Sequence, residues 1–238
     1  MTVKEVFEKL SACRGPNQNA QRSPRADGVE ARARLLHTAV HLFAEKGFAN
    51  TSTRELATAA GVNIAAISYY FGDKAGLYRA AYTEPMGDCA VMNDVDLSTV
   101  NLEQGLRLMF THIAEPLKQG EIVQLCTRLH FREMLEPTGL WAEEINTDIR
   151  QGQAALSQML SFHLGLEQPD DDLHSLAHSI VALPVYLFMG RDILLALQPH
   201  LIETPAAIDA YIERQIGYAL AMVEGEKKRR LNLLNTKK

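Results

Sequence analysis

From Glu30 onward, apolar residues recur every three to four positions, and no run alternates convincingly at period two. Leu35, Leu36, Ala39, Val40, Leu42 and Phe43 form the first such stripe, and Gly47 follows Lys46 as a helix stop. The same spacing predicts helices at about 100–117, 121–135, 140–164, 172–197 and 206–224. Their ends are marked by Pro116, Gly120, Pro137–Gly139, Gly165–Pro169 and Pro199–Pro205. The chain is therefore expected to be all-α, with no internal repeat. Residues 11–28 are rich in Gly, Pro, Asn, Gln, Ser and Arg without periodicity and read as a flexible arm, with a helical turn conceivable around Val3–Leu10.

Residues 51–77 break the pattern of long helices. They read TSTRELATAAGVNIAAISYYFGDKAGL. Ser52 followed by Glu55 is a capping box, which predicts a short helix over Thr53–Ala60. Gly61 supplies the sharp turn, and Asn63 is placed to cap a second short helix, Ile64–Phe71. Helices of two turns bury little alone, so Leu56, Ala57, Val62 and Ile67 must pack on each other and on the preceding helix. A small residue, a glycine four positions on and a branched apolar residue six beyond that (Ala57, Gly61, Ile67) meet the steric demands of a helix-turn-helix. Phe71 reads as core; for Tyr69 and Tyr70 the sequence leaves exposure or packing open.

Charge changes the picture only when it is divided by region. Residues 1–82 carry 11 Lys+Arg and 7 Asp+Glu (+4), residues 83–225 carry 7 and 21 (−14), and residues 226–238 carry 6 and 1 (+5), which together give the net −5. A basic end on an acidic body suits a protein that approaches phosphate with one end only. Cys13, Cys89 and Cys126 are odd in number, far apart and without CxxC spacing, arguing for a reducing compartment and against a zinc site. Glu5 and Glu8 interrupt the N-terminal apolar stretch, so it lacks the core of a signal peptide. No segment reaches the ~18 consecutive apolar residues of a membrane span. A cytoplasmic protein without membrane partner, metal or cofactor is expected. No glycine-rich phosphate loop, HExxH, GxSxG or spaced metal-ligand set points to an enzyme.

The stretch ARLLHTAVHLFAEKGFANTSTRELATAAGVNIAAISYYFGDKAGLY, from Ala33, resembles the DNA-binding domain of the TetR family of repressors. The LFAEKGF block, the TRELAxxAGV helix pair and the YYFGDKxxL ending carry the resemblance. It implies an N-terminal three-helix DNA-binding domain (29–77) after an arm (1–28), a larger helical ligand-binding and dimerisation domain (78–225), and a basic tail (226–238). It also implies a recognition helix presenting Ile64, Ala65, Ala66, Ser68, Tyr69 and Tyr70 to operator DNA, with Ser52, Thr53 and Arg54 at the preceding helix start and Lys74 at the next one meeting phosphates. Many family members have Lys, Gly or Thr where this chain has Ile64, Ala65 and Ala66, and Tyr where it has Ser68. This face is thus sparse in groups that hydrogen-bond bases, and alanine methyls against thymine would carry much of the readout. Arg14, Arg22 and Arg25, or Lys227–Arg230, are further basic groups whose contact with DNA the sequence leaves open.

In the acidic body, Leu176, Ile180, Leu183, Leu187, Leu194, Leu197, Ile208, Tyr211, Ile212, Ile216 and Leu220 supply two apolar helices. The resemblance implies a homodimer built on them; core within one chain is the alternative. One short recognition helix contacts too few bases for useful specificity, so two copies are required. LHFREMLEPTGLW at 129–141 is similar to the CecR (YbiH) subgroup, whose association with drug sensitivity implies a drug-like or metabolite effector. His112, Arg128, Phe131, Arg132, Trp141 and Tyr186 are the candidate pocket residues, with an Arg132–Glu133 ion pair as the structural alternative. The expected mechanism is release from the operator by the effector, with helix 74–90, kinked or broken at Pro85 and Gly87, as the lever. A DNA-binding architectural factor without an inducer is the competing function. A cavity with convergent polar groups in the body would favour the sensor over it.

Overall fold

The computed structural model describes residues 24–86, 100–140, 142, 145 and 149–236; 24–27 and Met86 are described by their backbone alone. Among the described residues every regular element is helical. The α-helices are α1 (Pro24–Lys46), α2 (Thr53–Ala60), α3 (Ala65–Phe71), α4 (Lys74–Thr83), α5 (Leu102–Ala114), α6 (Glu121–Leu135), α7 (Arg150–Leu164), α8 (Asp171–Met189), α9 (Arg191–Leu197) and α10 (Pro205–Thr236). The 3₁₀ turns Glu84–Met86, Glu115–Lys118 and Pro199–Leu201 extend or join them. The chain divides into two compact units, each with its own core.

The first unit joins α1–α4 to α6, which follows them in sequence only after a stretch belonging to the other unit. Leu35, Ala39, Val40 and Phe43 of α1 close on Leu56 and Ala57 of α2, Ile67 of α3, Leu77 and Tyr78 of α4, and Cys126 and Leu129 of α6. Tyr78 packs edge to face against both Phe43 and Phe48, its ring centroid lying 4.9 Å from that of Phe43. Helix α1 begins at Pro24, so 24–28 are helix instead of arm: Pro suits a first helical turn because its missing N–H has no intrahelical partner there anyway. The rest of the arm, the Val3–Leu10 turn, Gly87 and the cysteines Cys13 and Cys89 lie outside the described residues.

The second unit packs α5, α7, α8 and α10 around Leu106, Phe110, Leu156, Leu160, Leu173, Ile180, Ile212 and Ile216. Leu176, Ile180, Leu187, Leu194, Ile208, Ile212 and Ile216 are buried within this one chain, so most of the apolar stripe read from sequence is intrachain core. Leu197 is the exception, at 67% exposed. The single helix expected over 172–197 breaks at Gly190, where a Cβ would lie 2.5 Å from the Tyr186 ring. Helix α8 also contains the buried Pro184, which removes an intrahelical hydrogen bond. By length and composition α8 could cross a membrane, but here Leu173, Ala177 and Ile180 are buried in this unit's core. The basic segment after Gly225 continues α10 to Thr236. Arg229 pairs with Asp172 and Glu226, and Arg230 forks both carboxyl oxygens of Asp170 at 2.7 Å.

Candidate functional site

Helices α2 and α3 stand as the capping signals dictate. Ser52 Oγ accepts the Glu55 N–H at 3.1 Å, and Gly61 ends α2 in the left-handed region at φ 65°. Asn63 Oδ1 accepts the Ala65 N–H at 2.9 Å, opening α3. Gly72 and Asp73 turn the chain into α4, where Asp73 Oδ1 accepts the Gly76 N–H at 2.7 Å. The junction is close: a Cβ on Gly76 would lie 1.9 Å from the Phe71 carbonyl oxygen.

Helix α3 is sharply two-faced. Ile67 is buried and Ala66, Tyr70 and Phe71 are half-buried, whereas Ala65 and Ser68 are exposed, Ile64 is 50% exposed and Tyr69 is 81% exposed. The sequence left the two tyrosines equivalent; the structure separates them. Tyr69 stands out from the surface with its ring edge-on to that of Tyr70, while the Tyr70 hydroxyl lies beside Gly28 of α1. Ser52 and Arg54 are exposed at the start of α2, with Thr53 half-buried between them. Lys74 is half-buried, its ammonium 4.2 Å from the centre of the Phe48 ring, a cation–π contact that sequence spacing did not reveal.

Two groups on α6 hold this head together, and both lie in the LHFREML segment. Glu133 is fully buried and accepts hydrogen bonds from Tyr78 Oη (2.7 Å), Thr138 N–H (2.6 Å), Thr138 Oγ1 (2.9 Å) and Gly139 N–H (3.1 Å). Burial, then the bond to Glu133, holds the Tyr78 hydroxyl far above the ordinary tyrosine range. Arg132 donates through Nη1 to the Glu45 carbonyl at the end of α1 (3.1 Å) and through Nε to Glu136 (3.1 Å). Gly47, at φ 78°, has no side chain to block that guanidinium: a Cβ there would lie 2.7 Å from Arg132 Nε. Arg132 and Glu133 are thus two separate anchors, not each other's ion pair.

The other candidate pocket residues are spread out. Arg128 is exposed and Phe131 half-buried on α6, in the first unit. His112 of α5 and Tyr186 of α8 belong to the second unit, where burial lowers the His112 pKa and Tyr186 is 45% exposed. Trp141 lies outside the described residues.

A short helix pair joined by a left-handed glycine, its second helix exposing one face from a small core, defines a helix-turn-helix regulator of transcription. Known proteins agree. Residues 35–81 match the tetR family of bacterial regulatory proteins, and residues 102–222 match the C-terminal domain of the HTH-type transcriptional dual regulator CecR. The chain belongs to the TetR family of bacterial transcriptional regulators and carries a CecR-type C-terminal domain. It is 28% identical over 181 residues to the probable HTH-type transcriptional regulator YttP of Bacillus subtilis, covering 74% of this chain and 81% of that one. It is 25% identical over 190 residues to the dual regulator CecR of Shigella flexneri (71% and 80% covered). Among solved structures, the hemolysin II transcriptional regulator HlyIIR superposes with a TM-score of 0.52 at 20% identity, over 80% of this chain and 97% of that one, a likeness of fold.

Proposed function

We propose that this chain is a homodimeric repressor that reads operator DNA with α3 and leaves it when a small molecule binds the helical body. The observation that carries the DNA reading is the exposed face of α3, with Ser68 and the 81% exposed Tyr69 set on a buried Ile67. Ile64, Ala65, Ala66, Ser68 and Tyr69 would meet the major groove, with Tyr70 at its margin. Ser52, Thr53 and Arg54 would meet phosphate at the α2 N-terminus, where free N–H groups favour an anion. Lys74 would add a charge from the Phe48 face.

For the dimer, the support is an apolar surface that the chain leaves uncovered. Tyr186 (45% exposed), Met189 (51%), Ile193 (54%) and Leu197 (67%) follow one another along α8 and α9, with Tyr218 of α10 at 56%. In the repressor cycle, α4 transmits the effector's signal to the head. Within the head α4 is tied to α6 through Tyr78–Glu133, and α1 is tied to the turn after α4 by the two bonds from Arg32 to Glu84 (3.0 and 2.5 Å). Pro85 sits in that turn, where α4 gives way to a 3₁₀ segment.

The test is selection of genomic fragments by purified protein. An inverted repeat should be enriched, and Arg54→Ala should weaken its binding while lowering the salt slope by about one. Ser68→Ala should chiefly alter base preference within each half-site. No enriched repeat, or unaltered binding by both variants, would sink the reading.

A further inference from the structure

We propose that the cleft between α7 and the N-terminal end of α8 is a binding site for an uncharged organic molecule with an apolar body and a carbonyl acceptor. This rests on the ligand-responsive reading above and gives the effector a place lined by none of His112, Arg128, Phe131, Arg132 and Tyr186. The cleft has a volume of about 650 Å³, within the range of sites for drug-sized ligands.

Its α7 wall is a polar stripe at helical spacing, Gln153, Ser157 and Ser161, next to the core stripe of Leu156 and Leu160. Ser157 is 4% exposed and Ser161 6%, an unusual depth for hydroxyls with so little to bond. Ser161 Oγ and Gln153 Nε2 are buried without any hydrogen-bond partner, and Ser157 Oγ lies 3.5 Å from His174 Nδ1, at the limit of reach. Unpaired buried donors destabilise the free protein and are relieved by an acceptor brought in by a ligand. Ile149, Ala154 and Pro169 supply apolar wall. Arg150 and Glu167, of opposite sign, both face the cleft, which favours a neutral occupant.

The rim is held in place. Asp170 caps α8 by accepting the Leu173 N–H at 2.9 Å, and both its oxygens are gripped by Arg230 of α10. Helix α8, which bears His174 at the cleft, also bears Tyr186 and Met189 on the proposed dimer face. An occupant that shifts the start of α8 therefore acts on the element that sets the spacing of two copies.

The experiment is a fluorescence titration of the full-length protein with a neutral diethylamino-methylcoumarin, a solvatochromic dye whose lactone carbonyl accepts hydrogen bonds. Saturable binding of one dye per chain with blue-shifted emission is expected. Ala154→Trp, an exposed position, should fill the cleft and weaken binding by at least about tenfold. Gln153→Leu should weaken it roughly fivefold while the unfolding midpoint holds or rises, because an unpaired donor is removed. Absence of saturable binding, or equal binding by Ala154→Trp and wild type, overturns the site. Operator affinity measured at dye saturation separates the two claims. Binding that Ala154→Trp abolishes, with operator affinity unmoved, upholds the site and refutes the coupling to DNA.

Discussion

Glu133 is the residue on which the head's internal order depends most. It is 0% exposed, and donors from α4 and from the turn after α6 converge on it. Glu133→Ala strands the Tyr78 hydroxyl and frees that turn, so urea unfolding should show a loss of about 3 kcal/mol. Glu133→Gln, which keeps an acceptor, should lose less. His130 gives the head a pH dependence. Its Nδ1–H donates to the Cys126 carbonyl (2.8 Å), its ring stacks on Tyr82 with centroids 3.7 Å apart, and burial lowers its pKa below the ordinary histidine value. The unfolded chain therefore takes up a proton that the folded chain resists. His130's contribution is complete above the ordinary range and is lost as pH falls through the folded value. Denaturation curves should show stability falling as pH drops below 6.5, with a shallower fall in His130→Phe. An unchanged slope would remove His130 from the account; His112, lowered by burial in the other unit, acts in the same direction. Beside His130, Cys126 donates to backbone carbonyls of α4 at 3.4 and 3.2 Å, and burial pushes its thiol up to about 12, which leaves it a packing residue.

At the level of elements, two glycines test the reading head for different reasons. Gly61 is needed for its backbone: φ is 65° and nothing lies within 4 Å of an added Cβ, so Gly61→Ala should cost about 1–2 kcal/mol through the dihedral alone. Gly76 is needed for space. Gly76→Ala drives a methyl into the Phe71 carbonyl and must tilt α3 against α4, so operator affinity should fall at least about tenfold while helical circular dichroism persists. The turn glycine was legible in the sequence because Ala57, Gly61 and Ile67 are local and stand at the spacing a helix-turn-helix needs; the contact at Gly76 was not, because it depends on how tightly two helices meet. The same distinction runs through the molecule. Helix α6 spans the expected 121–135, since Gly120 and Pro137 punctuate it. The end of α10 was read as a basic tail because, besides nearby Glu226, the carboxylates that hold Arg229 and Arg230 are about 60 residues away, at Asp172 and Asp170. Likewise the polar stripe of α7 reveals nothing until the turn before α8 closes over it, and the anchoring roles of Arg132 and Glu133 need α1 and α4 in place.

For the whole molecule, the basic-to-acidic split of the sequence persists in part: the cations of α10 at Arg229 and Arg230 are neutralised within the body, and Arg54 and Lys74 stay with the reading head. The proposed dimer has its own test. Met189→Arg combined with Ile193→Arg puts charge on exposed apolar positions without touching the core, so the fold should survive. Analytical ultracentrifugation should then find monomers, and DNA binding should weaken sharply as two half-sites become one. The claim on which everything else depends is that the outward face of α3 reads operator DNA. Its most direct test is the equilibrium affinity of the purified protein for its selected operator, wild type against a Ser68→Ala, Tyr69→Ala double variant. Both side chains are exposed, so thermal unfolding should be unchanged while the operator Kd rises at least about tenfold. An operator affinity within about twofold of wild type in a folded double variant contradicts the claim.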